Sequence, residues 1–179
     1  MPRIPYPNLD TASPEVRDML GRLPAPANIF NMMAHAETLL KPVMKLGGSM
    51  LGKMQLDPLL REFVILHSAK LAHGEYEWVQ HVPIAHDLGG TEAQTKSLER
   101  GNEADASFTP AQTAALRLTR ELVLDGRGSE ATLAAARAHF SDREIVELIL
   151  TCGFYVMLAR FTETLGIEPE PPMGSALIR

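Results

Sequence analysis

Hydrophobic residues along this chain recur at helical spacing, and no stretch alternates clearly between apolar and polar positions as a strand does. Ser13 before Pro14 and Asp57 before Pro58 each place a capping side chain ahead of a proline at the first helical position. Gly166 follows the last apolar segment, as expected at a helix end. The pattern predicts an all-α fold. Helices are expected near 14–22, 36–52, 58–72, 75–88, 92–100, 110–125, 130–139 and 142–165.

Three capping boxes begin at Thr91, Thr109 and Ser141 and support the helix starts there. A length of 179 residues suits one domain. We divide the chain into an N-terminal arm with the first helix, a helical domain and a C-terminal tail, with bounds of 1–27, 28–168 and 169–179. The tail is rich in proline, so we expect it to pack poorly.

Composition excludes several function classes. The net charge is −5 and no cluster of lysine or arginine occurs, so a nucleic-acid partner is not expected. Cys152 is the single cysteine, which excludes an internal disulfide and a CxxC pair and fits a reducing compartment. The first residues contain no apolar segment typical of a signal peptide. We therefore expect a cytoplasmic protein.

The longest apolar run lies between Ile145 and Phe161, where Glu147 interrupts it and Arg160 closes it. We expect this run to be too short and too polar to span a membrane. The predicted helix 142–165 is nevertheless apolar on most faces. Such a helix is either buried centrally or lies in a subunit interface, which predicts a homo-oligomer.

Two carboxylates and a histidine stand at fixed spacing in an apolar part of the chain. Glu62 precedes Glu77 by fifteen residues, and His81 lies four residues after Glu77. Residues four apart share a helix face, so Glu77 and His81 are expected side by side. A carboxylate beside an imidazole can fix its tautomer and raise its pKa, and such groups transfer protons without a cofactor. The alternative is a surface pair with a structural role only.

Glu62 lies among apolar residues, so an inward position requires a partner or the neutral form. Burial would raise its pKa and suit it to general acid catalysis; alternatively, Glu62 pairs with an arginine across the core. No HExxH or similar metal-ligand spacing and no glycine-rich phosphate loop occurs. We therefore expect a small-molecule substrate, with no metal and no cofactor.

The runs LRE at 60–62 and EYEWVQH at 75–81 resemble the carboxymuconolactone decarboxylase superfamily, which includes the alkylhydroperoxidases. Flanking stretches resemble its non-cysteine branch, which reads YEWxxH, so the likeness covers about residues 1–168. The resemblance implies a single-domain, alkylhydroperoxidase-like helical bundle with a two-helix motif at its centre. It also implies assembly into trimers or hexamers.

In the peroxidase branch of this superfamily, the motif reads glutamate, CxxC, then histidine, and the glutamate and histidine relay protons to the cysteines. On that spacing Glu62 matches the glutamate and His81 the histidine, while Gly74 and Glu77 occupy the two cysteine positions. A thiol peroxidase needs a thiolate nucleophile, which neither Gly74 nor Glu77 supplies. The sequence therefore disfavours peroxidase chemistry.

The decarboxylase branch uses no cofactor, and it releases carbon dioxide from a lactone acid and protonates the resulting carbanion. By this resemblance His81 is the expected general acid, Glu77 orients it, and Glu62 completes the relay. The residues expected to contact substrate are Tyr76 and Trp78 as walls, and Arg61 or Arg160 as carboxylate binder. The primary hypothesis is a lyase or isomerase acting on a small lactone or organic acid. A peroxidase-like antioxidant protein and a non-catalytic binding oligomer are the alternatives.

Overall fold

The structure, a computed structural model, describes residues 1–174. This part of the chain forms α-helices and two short 3₁₀ turns, Leu9–Thr11 and Ala34–Ala36, and contains no strand. The prediction of an all-α fold is confirmed. The helices are α1 Pro14–Gly21, α2 Asn28–Met33, α3 Glu37–Lys53, α4 Pro58–Leu71, α5 Glu75–Asp87, α6 Glu92–Glu99, α7 Pro110–Leu124, α8 Glu130–Arg137 and α9 Asp142–Leu165.

The local signals in the sequence correctly mark most helix ends. The side chains of Thr91, Thr109 and Ser141 accept from the third backbone N–H of their helices, and each capping box closes reciprocally. Gly166 ends α9 with φ 62°, a left-handed conformation that glycine adopts without a steric penalty.

Helix α2 was not predicted. Ala27 precedes it and offers no side-chain cap. The backbone N–H of Asn28 instead donates to Oε2 of Glu170 at 3.0 Å, a carboxylate 142 residues further along the chain. The cap of α2 is therefore tertiary, and no local pattern could indicate it.

The core is arranged around α4, which packs against α5, α6, α7 and α9. Every residue of α4 from Leu60 to Ala69 is buried, so the helix has no solvent face over this stretch. Three core clusters contact α4: the first includes Ile65, the second Val64 and the third Phe63. This burial fixes the orientation of Arg61 and Glu62, the polar residues on the same helix.

Helix α9 is the second central element and packs against α4, α5 and α7. By length and composition alone, its 24 residues could cross a membrane, contrary to our expectation that the segment is too short and too polar. However, 50% of its most apolar window is buried inside the domain. The buried half of the window lies in the domain core, which is one of the two positions predicted from its apolar faces; the other is a subunit interface.

The described part of the C-terminal tail contacts the domain through Glu170, whereas Pro169, Pro171 and Pro172 are exposed. Ile167 is buried, and the side chain of Asn28 donates to the carbonyl oxygen of Glu168 at 2.9 Å. The tail then continues to Glu170, which contacts both α2 and α5. The remaining tail residues, 175–179, lie outside the described residues.

Candidate active site

A cavity of about 190 Å³ lies between α2, α3, α5, α9 and the C-terminal tail. Most of its wall is apolar, with Ile29, Phe30, Val43, Phe154 and Leu158 among the lining side chains. The polar groups converge from two directions. Those of α5 are Tyr76, Glu77, Gln80 and His81; Tyr155 and Glu170 come from α9 and the tail.

A buried network formed by Glu62 and Arg61 holds His81 in position. Its Nδ1 lies 2.6 Å from Oε2 of Glu62, whose other oxygen accepts from Nε of Arg61 at 2.9 Å. Nη1 of Arg61 donates to the carbonyl oxygen of Leu51 at 2.7 Å. Glu62 is 0% exposed. The convergence of Glu62 on His81, which the sequence left open, is present.

This network determines that Nδ1 of His81 carries a proton in the bond to Glu62. Burial by itself raises the pKa of Glu62, but His81 and Arg61 outweigh burial and hold the pKa below its ordinary value. An ionised carboxylate only accepts, so we assign a proton to Nδ1 of His81 in the bond with Glu62; whenever the ring is neutral, Nε2 is then the acceptor. The ring of Tyr155 packs edge-to-face at 4.9 Å and restricts its plane.

Glu77 is a second titratable group on the cavity wall. Both its carboxylate oxygens lie 3.2 Å from Oγ1 of Thr162 in α9. Burial raises the pKa of Glu77 to about 7, so the group is present in both protonation states near neutral pH. No hydrogen bond joins Glu77 to His81 within residues 1–174. The expected orienting role therefore falls to Glu62, and Glu77 is free to act on a ligand.

Glu77 keeps this position because α5 and α9 approach closely at Gly74. A Cβ atom added at Gly74 would lie 2.6 Å from Oε2 of Glu77 and 2.7 Å from Cβ of Ala159. Both distances are shorter than a real Cβ contact. Glycine at this position is therefore required by the packing that places Glu77 against the cavity.

The tail completes the polar side of the cavity. The hydroxyl of Tyr76 donates to Oε1 of Glu170 at 2.6 Å, and Nε2 of Gln80 donates to the same oxygen at 3.2 Å. Burial, followed by the bond to Glu170, raises the pKa of Tyr76 and keeps its hydroxyl neutral. Glu170 therefore joins α2, α5 and the tail at one edge of the cavity.

Three predicted contact residues do not reach the cavity. Trp78 packs on the other side of α5, against the cluster that contains Phe63. Arg61 is engaged by Glu62 behind His81, and Arg160 is exposed on α9. Neither arginine lines the cavity, so the predicted carboxylate binder is absent from the described wall.

The thiol of Cys152 is also separate from the cavity. Cys152 belongs to the cluster around Val64 and Leu148, and burial raises its pKa. A buried, protonated thiol is a poor nucleophile. In the described part of the chain, no group of three or more histidine, cysteine, aspartate or glutamate side chains could hold a metal ion.

The profile of the "Carboxymuconolactone decarboxylase family" matches residues 37–121, which include the whole Glu62–His81 segment. This match supports the resemblance of the chain to that family. A search of curated proteins found no match. The superfamily resemblance stated from the sequence is thereby confirmed.

Solved structures share the fold of this chain. An uncharacterised peroxidase-related protein with an alkylhydroperoxidase AhpD core from Ralstonia eutropha JMP134 has TM-score 0.82 and 20% identity over 94% of this chain and 92% of its own. A peroxidase-related protein from Silicibacter sp. TM1040 has TM-score 0.82 and 19% identity over 94% and 92%. A cysteine-to-alanine variant of the debrominase Bmp8, in complex with 2,3,4-tribromopyrrole, has TM-score 0.76 and 14% identity over 94% and 91%.

Four polar residues that face the cavity or support this superfamily motif were not predicted. Tyr155 and Thr162 are seven residues apart, so they share a face of α9, and that spacing was the available signal. Gln80 precedes His81 and was visible as a polar neighbour in the motif. Glu170 carries no signal, because only the fold of the tail brings it to Tyr76.

Replacing Glu77 by glutamine is expected to increase stability at pH 8 and to change it little at pH 4.5. In the folded protein the pKa of Glu77 is about 7, above its ordinary 4.5. The protonated carboxyl group of Glu77 therefore stabilises the fold fully below pH 4.5, and this stabilisation is lost as the pH rises through about 7. Each pKa unit corresponds to about 1.4 kcal/mol, which gives Glu77→Gln an advantage of about 3 kcal/mol at pH 8. Urea unfolding of the wild type and the variant at both pH values measures this difference in the free energy of unfolding.

The matched control is Glu99→Gln, which changes an exposed carboxylate at the end of α6. It should show no such pH dependence. His67, whose pKa burial lowers to about 4, is common to all three proteins, and its contribution cancels in the comparison. A Glu77→Gln protein that is destabilised equally at both pH values would show that Glu77 is ionised throughout.

Proposed function

We propose that the cavity is the active site of a cofactor-free proton-transfer enzyme, either an isomerase or a decarboxylating lyase, acting on a small lactone or related carbonyl compound. One observation carries the proposal. Glu77, with a pKa near 7, and His81, with its Nδ1 bound to Glu62, line the same mostly apolar cavity. Groups that titrate near the working pH are the most effective proton donors and acceptors.

The reaction needs one acceptor and one donor of a proton. In the isomerase form, Nε2 of His81 removes a proton from the carbon beside the carbonyl, and the C–H electron pair forms a dienolate. Protonated Glu77 then returns one proton at the far end of the allylic system, which shifts the double bond. In the lyase form, carbon dioxide leaves, the electrons of the broken C–C bond form the same dienolate, and one proton is again added. Arg61, Glu62 and Tyr155 hold His81 in position for either step.

A thiol peroxidase is the second candidate, because two of the structural neighbours are described as peroxidase-related. The position of Cys152 disfavours it, since the single thiol of the chain is buried in another cluster. The debrominase neighbour holds a single-ring ligand. A cavity that binds such a ligand without any reaction is the third alternative.

Hydrogen exchange in heavy water tests the proposal. The wild-type protein is incubated with a panel of unsaturated lactones and enolisable ketones, including 4-carboxymuconolactone, and NMR follows loss of C–H signals and formation of products. We expect exchange or turnover of at least one compound, which Glu77→Gln reduces at least tenfold and Cys152→Ser leaves unchanged. If no compound of the panel exchanges or reacts, or if Glu77→Gln acts at the wild-type rate, proton transfer in this cavity is excluded.

We also propose, from the superfamily resemblance, that the chain assembles into a trimer or hexamer in the cytoplasm. Support comes from α9, where apolar side chains remain exposed on the side away from the core: Val146, Ile149, Leu150 and Met157. Isolated exposed apolar residues are common, but a row along one helix is typical of an interface.

A further inference from the structure

The cavity contains an unusual combination of charges for a superfamily named after a carboxylated substrate. Among the described residues, no lysine or arginine lines it, whereas the carboxyl groups of Glu77 and Glu170 do. Arg61 is the nearest cation on α4, and it is neutralised by Glu62 behind the wall. A ligand carboxylate entering here would lose water without gaining a fixed positive partner.

Glu170 accepts hydrogen bonds from three partners at the edge of the cavity. Its oxygens accept from the hydroxyl of Tyr76, from Nε2 of Gln80 and from the backbone N–H of Asn28. Three donors from α2 and α5 therefore position this carboxyl group at the edge of the cavity.

The size of the cavity limits the ligand further. A volume of about 190 Å³ is somewhat larger than an engineered cavity of roughly 150 Å³ that takes up benzene. One substituted ring therefore fits within it. The apolar walls formed by Phe30, Phe154 and Leu158 favour a ring and disfavour a cation, whose solvation they cannot replace.

From this wall we infer that the ligand is an uncharged single-ring compound, and that Glu170 is the residue that rejects carboxylates. The inference rests on the proposed function of the same cavity and narrows its substrate to neutral lactones and ketones. The protein then acts on compounds from which the carboxylate has already been removed or masked, in contrast to the substrate in the superfamily name.

Binding of three matched probes tests the inference without requiring turnover. Benzyl alcohol, benzoate and benzylammonium share one ring and differ in charge. The full ¹⁵N-labelled chain is titrated with each at pH 7.5, and the amide signals of Gly47 and Gly48 on the cavity wall report binding. We expect benzyl alcohol to bind at least tenfold more tightly than either ion. Contacts with the carboxyl groups of the wall oppose benzoate, and solvation that the apolar wall cannot replace opposes both ions.

Two variants locate the source of the selectivity. Glu170→Gln should reduce the difference in affinity between benzyl alcohol and benzoate. Its matched control is Glu168→Gln, a carboxylate of the same tail that pairs with the N-terminus and does not line the cavity. An unchanged difference in Glu170→Gln would overturn the role of Glu170. A preference below tenfold, or no shift of the wall signals with benzyl alcohol, would overturn the inference itself.

Together, the binding experiment and the exchange experiment distinguish failure of this inference from failure of the proposed function. Selective binding of benzyl alcohol without exchange of any lactone or ketone would reject the enzyme and keep the uncharged ligand. Turnover of carboxylated lactones, with benzoate bound as tightly as benzyl alcohol, would keep the enzyme and reject the uncharged substrate.

Discussion

Replacing Glu62 by glutamine is expected to lower the free energy of unfolding at pH 7 by about 3–5 kcal/mol. The substitution preserves the shape of the side chain but removes the negative charge between Arg61 and His81. The guanidinium of Arg61, which is 3% exposed, would then be buried without a counter-charge. Urea unfolding followed by circular dichroism measures the loss.

Two comparisons show whether burial causes this loss. Glu92→Gln removes a carboxylate from an exposed pair with Lys96 and should leave the stability almost unchanged. The double variant Arg61→Met with Glu62→Leu removes both buried charges and should recover a large part of the loss. A Glu62→Gln protein as stable as Glu92→Gln would contradict the charge balance described for this network.

Replacing His81 by alanine is expected to reduce turnover of the substrate found by the exchange panel by about 10²–10⁴-fold, the usual contribution of a positioned proton-transfer group. The substitution removes the imidazole from the cavity wall and leaves Glu62 paired with Arg61. Free imidazole should restore part of the rate, because the deleted ring leaves room for it. Initial rates with increasing imidazole measure both effects.

Rescue of the rate by imidazole distinguishes the loss of a proton-transfer group from misfolding. A His81 with a merely structural role would lose activity through misfolding, and added imidazole would not restore it. The control is His139→Ala, which changes an exposed histidine that does not line the cavity. It should retain the wild-type rate with or without imidazole. Turnover by His81→Ala within tenfold of wild type would rule out His81 as a proton carrier.

The fold could be predicted wherever its signals are local. The boundaries of α4, α7 and α9 follow from a capping side chain at the start and from apolar periodicity along the helix. Helix α2 escaped prediction because its N-terminus is capped by Glu170, across the whole domain. The contacts of Glu170 in the tail were missed for the same reason, because they are tertiary.

The two carboxylates and the histidine at the centre of the site were predictable from the sequence, but their pairing was not. Spacing placed Glu77 and His81 on one face of α5, and both line the cavity. The partner of His81 turned out to be Glu62, because the angle between α4 and α5 decides which carboxylate reaches Nδ1. Glu62 itself has a lowered pKa, contrary to the effect of burial alone, since that same contact and Arg61 stabilise its charge.

The packing around Gly74 also constrains the evolutionary history of this site. By the resemblance, Gly74 and Glu77 stand where the peroxidase branch has its two cysteines. A side chain at Gly74 would collide with Glu77 and equally with Cβ of Ala159, at 2.7 Å. Exchanging Glu77 for cysteine would relieve only the first collision. A dithiol site at these two positions would therefore also require a compensating change at Ala159 in α9.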